Sequence, residues 1–311
     1  VKSEPSALSG DRVLRAISDD GAFRVIAART TETVRGAVAA QKAKGALAAR
    51  FGELLTGTIL VREAMAPNLR VQGILKGQGK GSLVADAHPD GSSRGLVSFG
   101  GKGNEAVIGP GSKLQVMRTL PGGSMHQGVI ELPFDNEVPR PRSLGEDGIS
   151  MPKVRNWGPI AAGFMAYMQD SEQVVSTIDV ATVMDGDEIV LAGGYIVQLL
   201  PEVERGPLMV MAERLADFES LEALLRESEG SPEHLVEEIL YGMPFTRLEE
   251  SKLRFGCHCN QVRVLGSLAT LPKHDIEELI ADNEVLEISC DYCGKDYPIA
   301  PGLLRSLLTP S

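Results

Sequence analysis

The sequence predicts an α+β protein: a large body of sheets and helices (1–205), a helical linker (206–253) and a small C-terminal domain (254–311). Three observations lead there. Strand-like runs separated by glycine turns crowd the stretch from about 70 to 200. After Pro201 the apolar residues change to helical spacing. All four cysteines lie beyond residue 256.

The elements of the body follow in order. In "VLRAISDDGAFRVIAART", Phe23, Val25 and Ala27 alternate with Arg24 and Ile26, the spacing of an early strand. Thr30 or Thr31 is placed to cap a helix running to Lys42. "GALAARFGELLTGTILVREAM" is apolar on most sides, which predicts a buried helix. "LRVQGILKG" predicts a strand. Three hairpins are expected beyond it, turning at Asp90-Gly91, at Pro121-Gly122-Gly123 and at Asp185-Gly186. Before the last of them lies a proline-rich stretch at 133–158, read as a long loop, and then a helix in "IAAGFMAYMQDSEQ". Trp157 ends that loop, either as its anchor to the body or as an exposed side chain.

In the linker, Leu208, Met211, Leu215, Phe218, Leu221 and Leu225 keep near-helical spacing up to Gly230. A second short helix is bounded by Ser231 as cap, Pro232 at its first position and Gly242 as its stop. In the last domain "LPKHDIEELIADN" predicts an amphipathic helix and "VLEISC" a strand.

Composition narrows the function. A hydrophobic content of 43% is enough for a packed core. The net charge of −11 works against polyanionic partners, nucleic acid and anionic membrane alike. No apolar run is long enough to span a bilayer as a helix. The opening "VKSEPSALSGDRV" lacks the basic-then-apolar pattern of a secretory signal. The expected location is the cytoplasm, with the mitochondrion or another organelle as the alternative if a targeting segment has been removed.

The cysteines form two tight pairs, Cys257 with Cys259 and Cys290 with Cys293, separated by thirty residues. That is metal-site spacing: two knuckles face to face supply four thiolates to one tetrahedral Zn²⁺. Gly256 and Gly294 flank the pairs and suit tight turns. A segment this small has little core, so metal binding would supply much of its folding free energy. His258 lies inside the first pair, but four thiols already complete a site. Zinc keeps thiols as thiolates, the oxidisable form. A strong oxidant acting on such a cluster yields two local disulfides and frees the metal, and the domain loses what folds it. The alternative is four structural cysteines without a metal.

The tail motif, closed by Tyr297, resembles that of the Hsp33-type redox-regulated chaperones. "DRVLRAISDDGAFRVIAA" resembles the family's opening; Ser171, Glu172 and Gln173 carry its Ser-Glu-Gln signature; "AGGYIVQLLPEV" resembles its Gly-Gly-aromatic stretch. The resemblance covers most of the chain. It implies a non-enzymatic, ATP-independent holdase whose reduced form binds one zinc and is inactive. It further implies that oxidation joins Cys257 to Cys259 and Cys290 to Cys293, releases zinc and destabilises the tail and linker. The exposed apolar surface then holds unfolding client proteins, and the oxidised form dimerises. The proline-rich stretch at 133–158 departs from the family's pattern and bears on location more than on mechanism.

Two other classes compete. A zinc-ribbon nucleic-acid binder is disfavoured by charge: residues 254–300 carry four Lys/Arg against eight Asp/Glu. A thiol-disulfide oxidoreductase would use Cys290 and Cys293, but "GKDYPIAPG" after them does not read as the helix such catalysts need. "KGQGKG" at 76–81 and "GGKGNEAVIGPG" at 100–111 miss the phosphate-loop pattern and read as hairpin loops. His88, His126, His234 and His274 are scattered and read as surface or local-structure residues.

Overall fold

Two six-stranded sheets organise most of the predicted strands. The computed structural model describes residues 10–79, 81–99, 108–120, 122–133, 157–200, 205–218 and 220–308. The proline-rich stretch, apart from its two ends, Pro121, and most of the glycine-rich run at 100–111 lie outside the described residues. The chain divides into two compact units, Val1–Phe255 and Gly256–Ser311.

The first unit begins with β1 (Arg12–Ser18) and β2 (Phe23–Arg29), turning at Gly21, which has φ +71°. The sequence reading had a single early strand here. The arginines at 12 and 15 hide the first one, because Arg12 and Arg15 interrupt its apolar alternation. Helices α1 (Thr31–Gln41) and α2 (Gly45–Ala64) follow, then β3 (Val71–Lys76), β4 (Ser82–Ala87), β5 (Ser92–Ser98), β6 (Lys113–Thr119) and β7 (Met125–Glu131). After the proline-rich stretch come α3 (Pro159–Asp170), β8 (Ser176–Asp185) and β9 (Glu188–Leu199). Next are α4 (Arg205–Asp217), α5 (Leu221–Glu227) and α6 (Pro232–Ile239), and finally β10 (Phe245–Arg247), β11 (Ser251–Lys252) and β12 (Arg254–Phe255). One sheet runs β10-β1-β2-β9-β8, with β11 also on β1; the other runs β12-β5-β4-β3-β6-β7. All pairs are antiparallel except β12 with β5.

The two faces of the first sheet feed two cores. Val13, Ile26 and Ala28 point into one, with Leu54, Leu55, Ile59 and Leu60 of α2 and the inward residues of the second sheet. Leu14, Ala16, Val25, Ala27, Tyr195 and Val197 point into the other, covered by α4, α5 and α6 through Met211, Leu215, Leu225, Leu235, Val236 and Ile239. This alternation is the period of two expected of a strand covered on both sides. Helix α2 lies between the sheets at close range. A Cβ at Gly52 would collide with Thr182, and one at Gly95 with Phe51, so glycine at these two positions sets the approach. Trp157 is buried, at 8% exposure, in the second core, which settles the two readings of it in favour of an anchor.

Two local details differ from the sequence reading. Thr30 is the N-cap residue of α1, but its side chain bonds Thr56 instead of the helix. The open N–H groups of Glu32 and Thr33 are taken by Asp11 from outside the helix, at 3.1 and 2.6 Å. The apolar run after Pro201 is two helices, because Ser220 caps α5 by accepting from the Ala223 amide at 3.0 Å. Its apolar spacing continues in phase across the break and so conceals it.

Asp86 on β4 is fully buried among three cationic or ionisable partners. Arg70 reaches it at 2.6 and 2.9 Å, Arg94 at 3.0 Å and His88 at 3.2 Å. Burial alone would raise the carboxyl's pKa. Hydrogen bonds from His88 and Arg70, with their charges, outweigh burial and hold it well below the usual carboxylate range.

The second unit holds α7 (Gln261–Leu268), α8 (Lys273–Ala281), the hairpin of β13 (Leu286–Ser289) and β14 (Asp296–Ile299), and α9 (Pro301–Leu308). Its core consists of five buried residues, Val264, Ile276, Tyr297, Ile299 and Leu304. Helices α7 and α9 were not predicted; each is only eight residues long, though its apolar residues do keep helical spacing.

Candidate metal centre

Each cysteine pair is positioned by local backbone structure. Cys290 directly follows β13, and its carbonyl accepts from the amides of Gly294 at 2.7 Å and Cys293 at 3.3 Å. The Cys290 amide in turn donates to the Lys295 carbonyl at 2.9 Å. Gly294 sits at φ +69°, as a tight knuckle requires, whereas Gly256 does not take a positive φ. The other pair leads into α7, which Asn260 caps by accepting from the Arg263 amide at 2.9 Å. Arg263 also donates to the His258 carbonyl at 2.8 Å, bracing the backbone between the two thiols.

The result is a cluster. The four Sγ atoms, Cys257, Cys259, Cys290 and Cys293, all lie within 4.8 Å of one another. The Cys257–Cys290 separation is 3.8 Å and the Cys259–Cys293 separation 3.4 Å, both across the two knuckles. Four sulfurs at about 2.3 Å from a tetrahedral Zn²⁺ are about 3.8 Å apart. The donor set and spacing therefore fit a metal ion of that kind. The cysteines are half-buried, and the His258 imidazole is outside the cluster.

The electrostatics suit a cation. Burial works against ionisation of Cys259, but hydrogen bonds from the Tyr297 hydroxyl and the neighbouring thiols bring its thiol down to about 7. Cys293 is pushed up to about 12, by burial first and then by the thiols it faces. Burial pushes Cys290 up as well. Four thiols this close cannot all be anionic without a positive charge among them. Tyr297 donates to Cys259 Sγ at 3.1 Å, and that bond raises its own pKa to about 12. Sequence reasoning noted this tyrosine as part of the motif but gave it no contact. The residue order alone carried no signal for it, because the bond depends on the β13–β14 pairing that sets Tyr297 opposite Ile288.

The rest of the histidines do different work. His88 belongs to the Asp86 cluster, and His274 pairs with Asp275 at 2.7 Å on the surface. Cys290 and Cys293 occupy a turn between two strands, not a helix N-terminus, which removes the usual means of activating a Cys-x-x-Cys nucleophile.

Fold and site together define a two-part α+β protein whose smaller part is gathered around a four-thiol cluster. The chain belongs to the Hsp33 family: the family model described as Hsp33 protein matches residues 11–140 and 148–300. It is similar to a 33 kDa chaperonin of Syntrophotalea carbinolica, 28% identical over 309 residues that cover 96% of this chain and 99% of the relative. A 33 kDa chaperonin of Clostridioides difficile is 29% identical over 300 residues, covering 96% and 98%. Among solved structures, the 33 kDa chaperonin (Hsp33 homolog) of Thermotoga maritima shares the fold, with a TM-score of 0.77 at 21% identity over 96% of this chain and 97% of that one. Among the described residues no helix is long and apolar enough to cross a membrane.

Proposed function

We propose that the chain is a redox-regulated, ATP-independent holdase chaperone. In its reduced form one Zn²⁺ is held by Cys257, Cys259, Cys290 and Cys293. The observation that carries the reading is the convergence of four thiols in a unit whose own core is five residues. The metal supplies positive charge that keeps the sulfurs anionic and holds the two knuckles together.

Oxidation acts on the chain's own sulfurs. Cys257 joins Cys259 and Cys290 joins Cys293. The two thiolates of each pair give up two electrons as their S–S bond forms, so forming the two disulfides reduces two hypochlorite ions to chloride, and their oxygen leaves with water as hydroxide. Disulfide sulfur carries no charge to retain a cation, and the knuckles lose their common partner. Residues 206–253 follow, and the apolar face that α4, α5 and α6 cover opens to unfolding clients. Dimerisation of the oxidised form and a reducing, cytoplasmic home for the resting protein belong to the same reading.

The test is light scattering of a heat-unfolding client with the protein reduced or hypochlorite-treated, and zinc release followed in the same samples. About one zinc per chain is expected to leave, with aggregation suppressed only afterwards. Zinc loss without suppression would leave the cluster a structural or sensing site and remove the chaperone reading.

A further inference from the structure

We infer that the outer edge of β1 is a docking site for an extended segment of a non-native polypeptide, closed in this structure by residues 244–253. The inference rests on the release of residues 206–253 proposed above and adds a second kind of contact to the apolar face. The closing segment runs antiparallel to β1, with Ala16 opposite Arg247, Ile17 opposite Thr246 and Ser18 opposite Phe245. Arg12 then faces Lys252 and Val13 faces Ser251. Between these blocks β1 goes from Ala16 to Val13 while the segment goes from Arg247 to Ser251, one residue more. The pairing is therefore broken by a bulge.

Main-chain atoms do most of the holding. Asp19 N donates to the Pro244 carbonyl at 2.9 Å, Leu248 N to the Arg15 carbonyl at 2.8 Å, and Leu253 N to the Asp11 carbonyl at 3.0 Å. Arg15 also grips main chain, donating to the Glu249 carbonyl at 3.1 Å. Two side-chain to side-chain bonds reach the β1 hairpin, Arg15 to Ser251 and Thr246 to Asp19, and Arg247 bonds Glu237 of α6 instead. The side chains from 246 to 250 are exposed, Leu248 among them at 42%. Phe245 and Leu253 at the segment's two ends pack against the cores; between them, what this edge recognises is peptide backbone, which every polypeptide offers.

A bare strand edge invites pairing, and proteins guard edges with prolines, charges, bulges and short strands. Here most of those guards sit on the covering segment: Pro244, Arg247, Glu249, Glu250, Lys252 and the bulge, while β1 contributes the charges of Arg12, held by Glu233, and Arg15. The β1 strand itself, "RVLRAIS", is seven residues long, largely apolar and free of proline. When the segment leaves, most of the guard leaves with it. The edge of β5 is different. There Asp90 clasps Arg254 at 2.5 Å, and Gly91 passes so close to the Lys252 carbonyl that no Cβ fits. That edge is shaped for its own partner, whereas the β1 edge suits any extended chain of about its own length.

The experiment uses the oxidised, metal-free full chain and a fluorescein-labelled peptide, Lys-(Val-Thr)4-Lys. Its depsipeptide twin has the internal amides replaced by esters, keeping the side chains and losing the N–H donors. Anisotropy is expected to show the ester twin binding weaker by about tenfold or more. Hydrogen exchange is expected to show residues 12–19 opened by oxidation and protected again by the amide peptide. Equal binding of the twins overturns the inference and leaves the redox switch standing, since side chains alone would then make the contact. Residues 244–253 remaining protected after metal loss overturns the inference and the switch reading together. Protection of residues 12–19 without peptide, accompanied by a doubled mass, overturns it in favour of a second copy's segment on the edge.

Discussion

The body and the cysteine unit stay folded by different means. In the body, Phe23, Phe51, Phe164, Tyr167 and Tyr195 are completely buried, and two apolar clusters share the first sheet. Among the described residues the cysteine unit has five buried apolar ones, and each of its three helices buries one. Small units of that kind need a staple. The contrast teaches where an oxidant has leverage: on the proposed reading, chemistry at four sulfurs removes the staple of one unit and leaves the first core of the other in place.

Three perturbations break or sharpen the contrast. The largest effect is expected from Cys290→Ser. It removes one of four sulfurs, so metal affinity falls steeply and residues 256–308, with 206–253 after them, lose structure while the first core is kept; metal stoichiometry and residue-resolved NMR check this. Unchanged stoichiometry would refute the ligand assignment. Asp86→Asn is expected to do the reverse, costing the body about 3 to 5 kcal/mol at neutral pH by leaving Arg70 and Arg94 beside a neutral group. Because the Asp86 carboxyl is held below its unfolded value of about 3.9, its contribution is complete above that pH and is lost as pH falls through the folded value. The gap between parent and variant, measured by denaturant titration, should therefore narrow below about pH 4. The third change, Leu235→Ala, removes a fully buried side chain of α6 and is expected to cost about 2 to 5 kcal/mol. It should loosen residues 206–253 with the metal still bound, giving faster proteolysis there and partial client holding in the reduced state.

Much of the fold was legible because turns are chemical. Gly91 and Gly186 take positive φ where Asp-Gly was read as a hairpin turn, and Ser231 and Pro232 start α6 as expected. The four cysteines were legible as a site because their spacing is metal spacing, and the structure gathers them. Other features depend on distant partners and left no local mark. The cap of α1 comes from Asp11, the Cys259 hydrogen bond from Tyr297, and the Asp86 cluster from Arg70 just before β3 and Arg94 on β5. The sequence reads 244–253 only as the end of a linker and 254–255 as the start of the last domain, because strands held by backbone bonds with mostly exposed side chains have little alternation to show.

Confining every thiol to residues 257–293 has a consequence for refolding. Four cysteines allow three ways of pairing within one chain, and all three close loops inside the second unit. A chain that has been oxidised, unfolded and reduced again cannot return with a mispaired intrachain crosslink threaded through the two six-stranded sheets. Any pairing error stays within a short loop and is erased by the same reductant that restores the thiols. Repeated cycles of stress should therefore leave the body's folding route unobstructed.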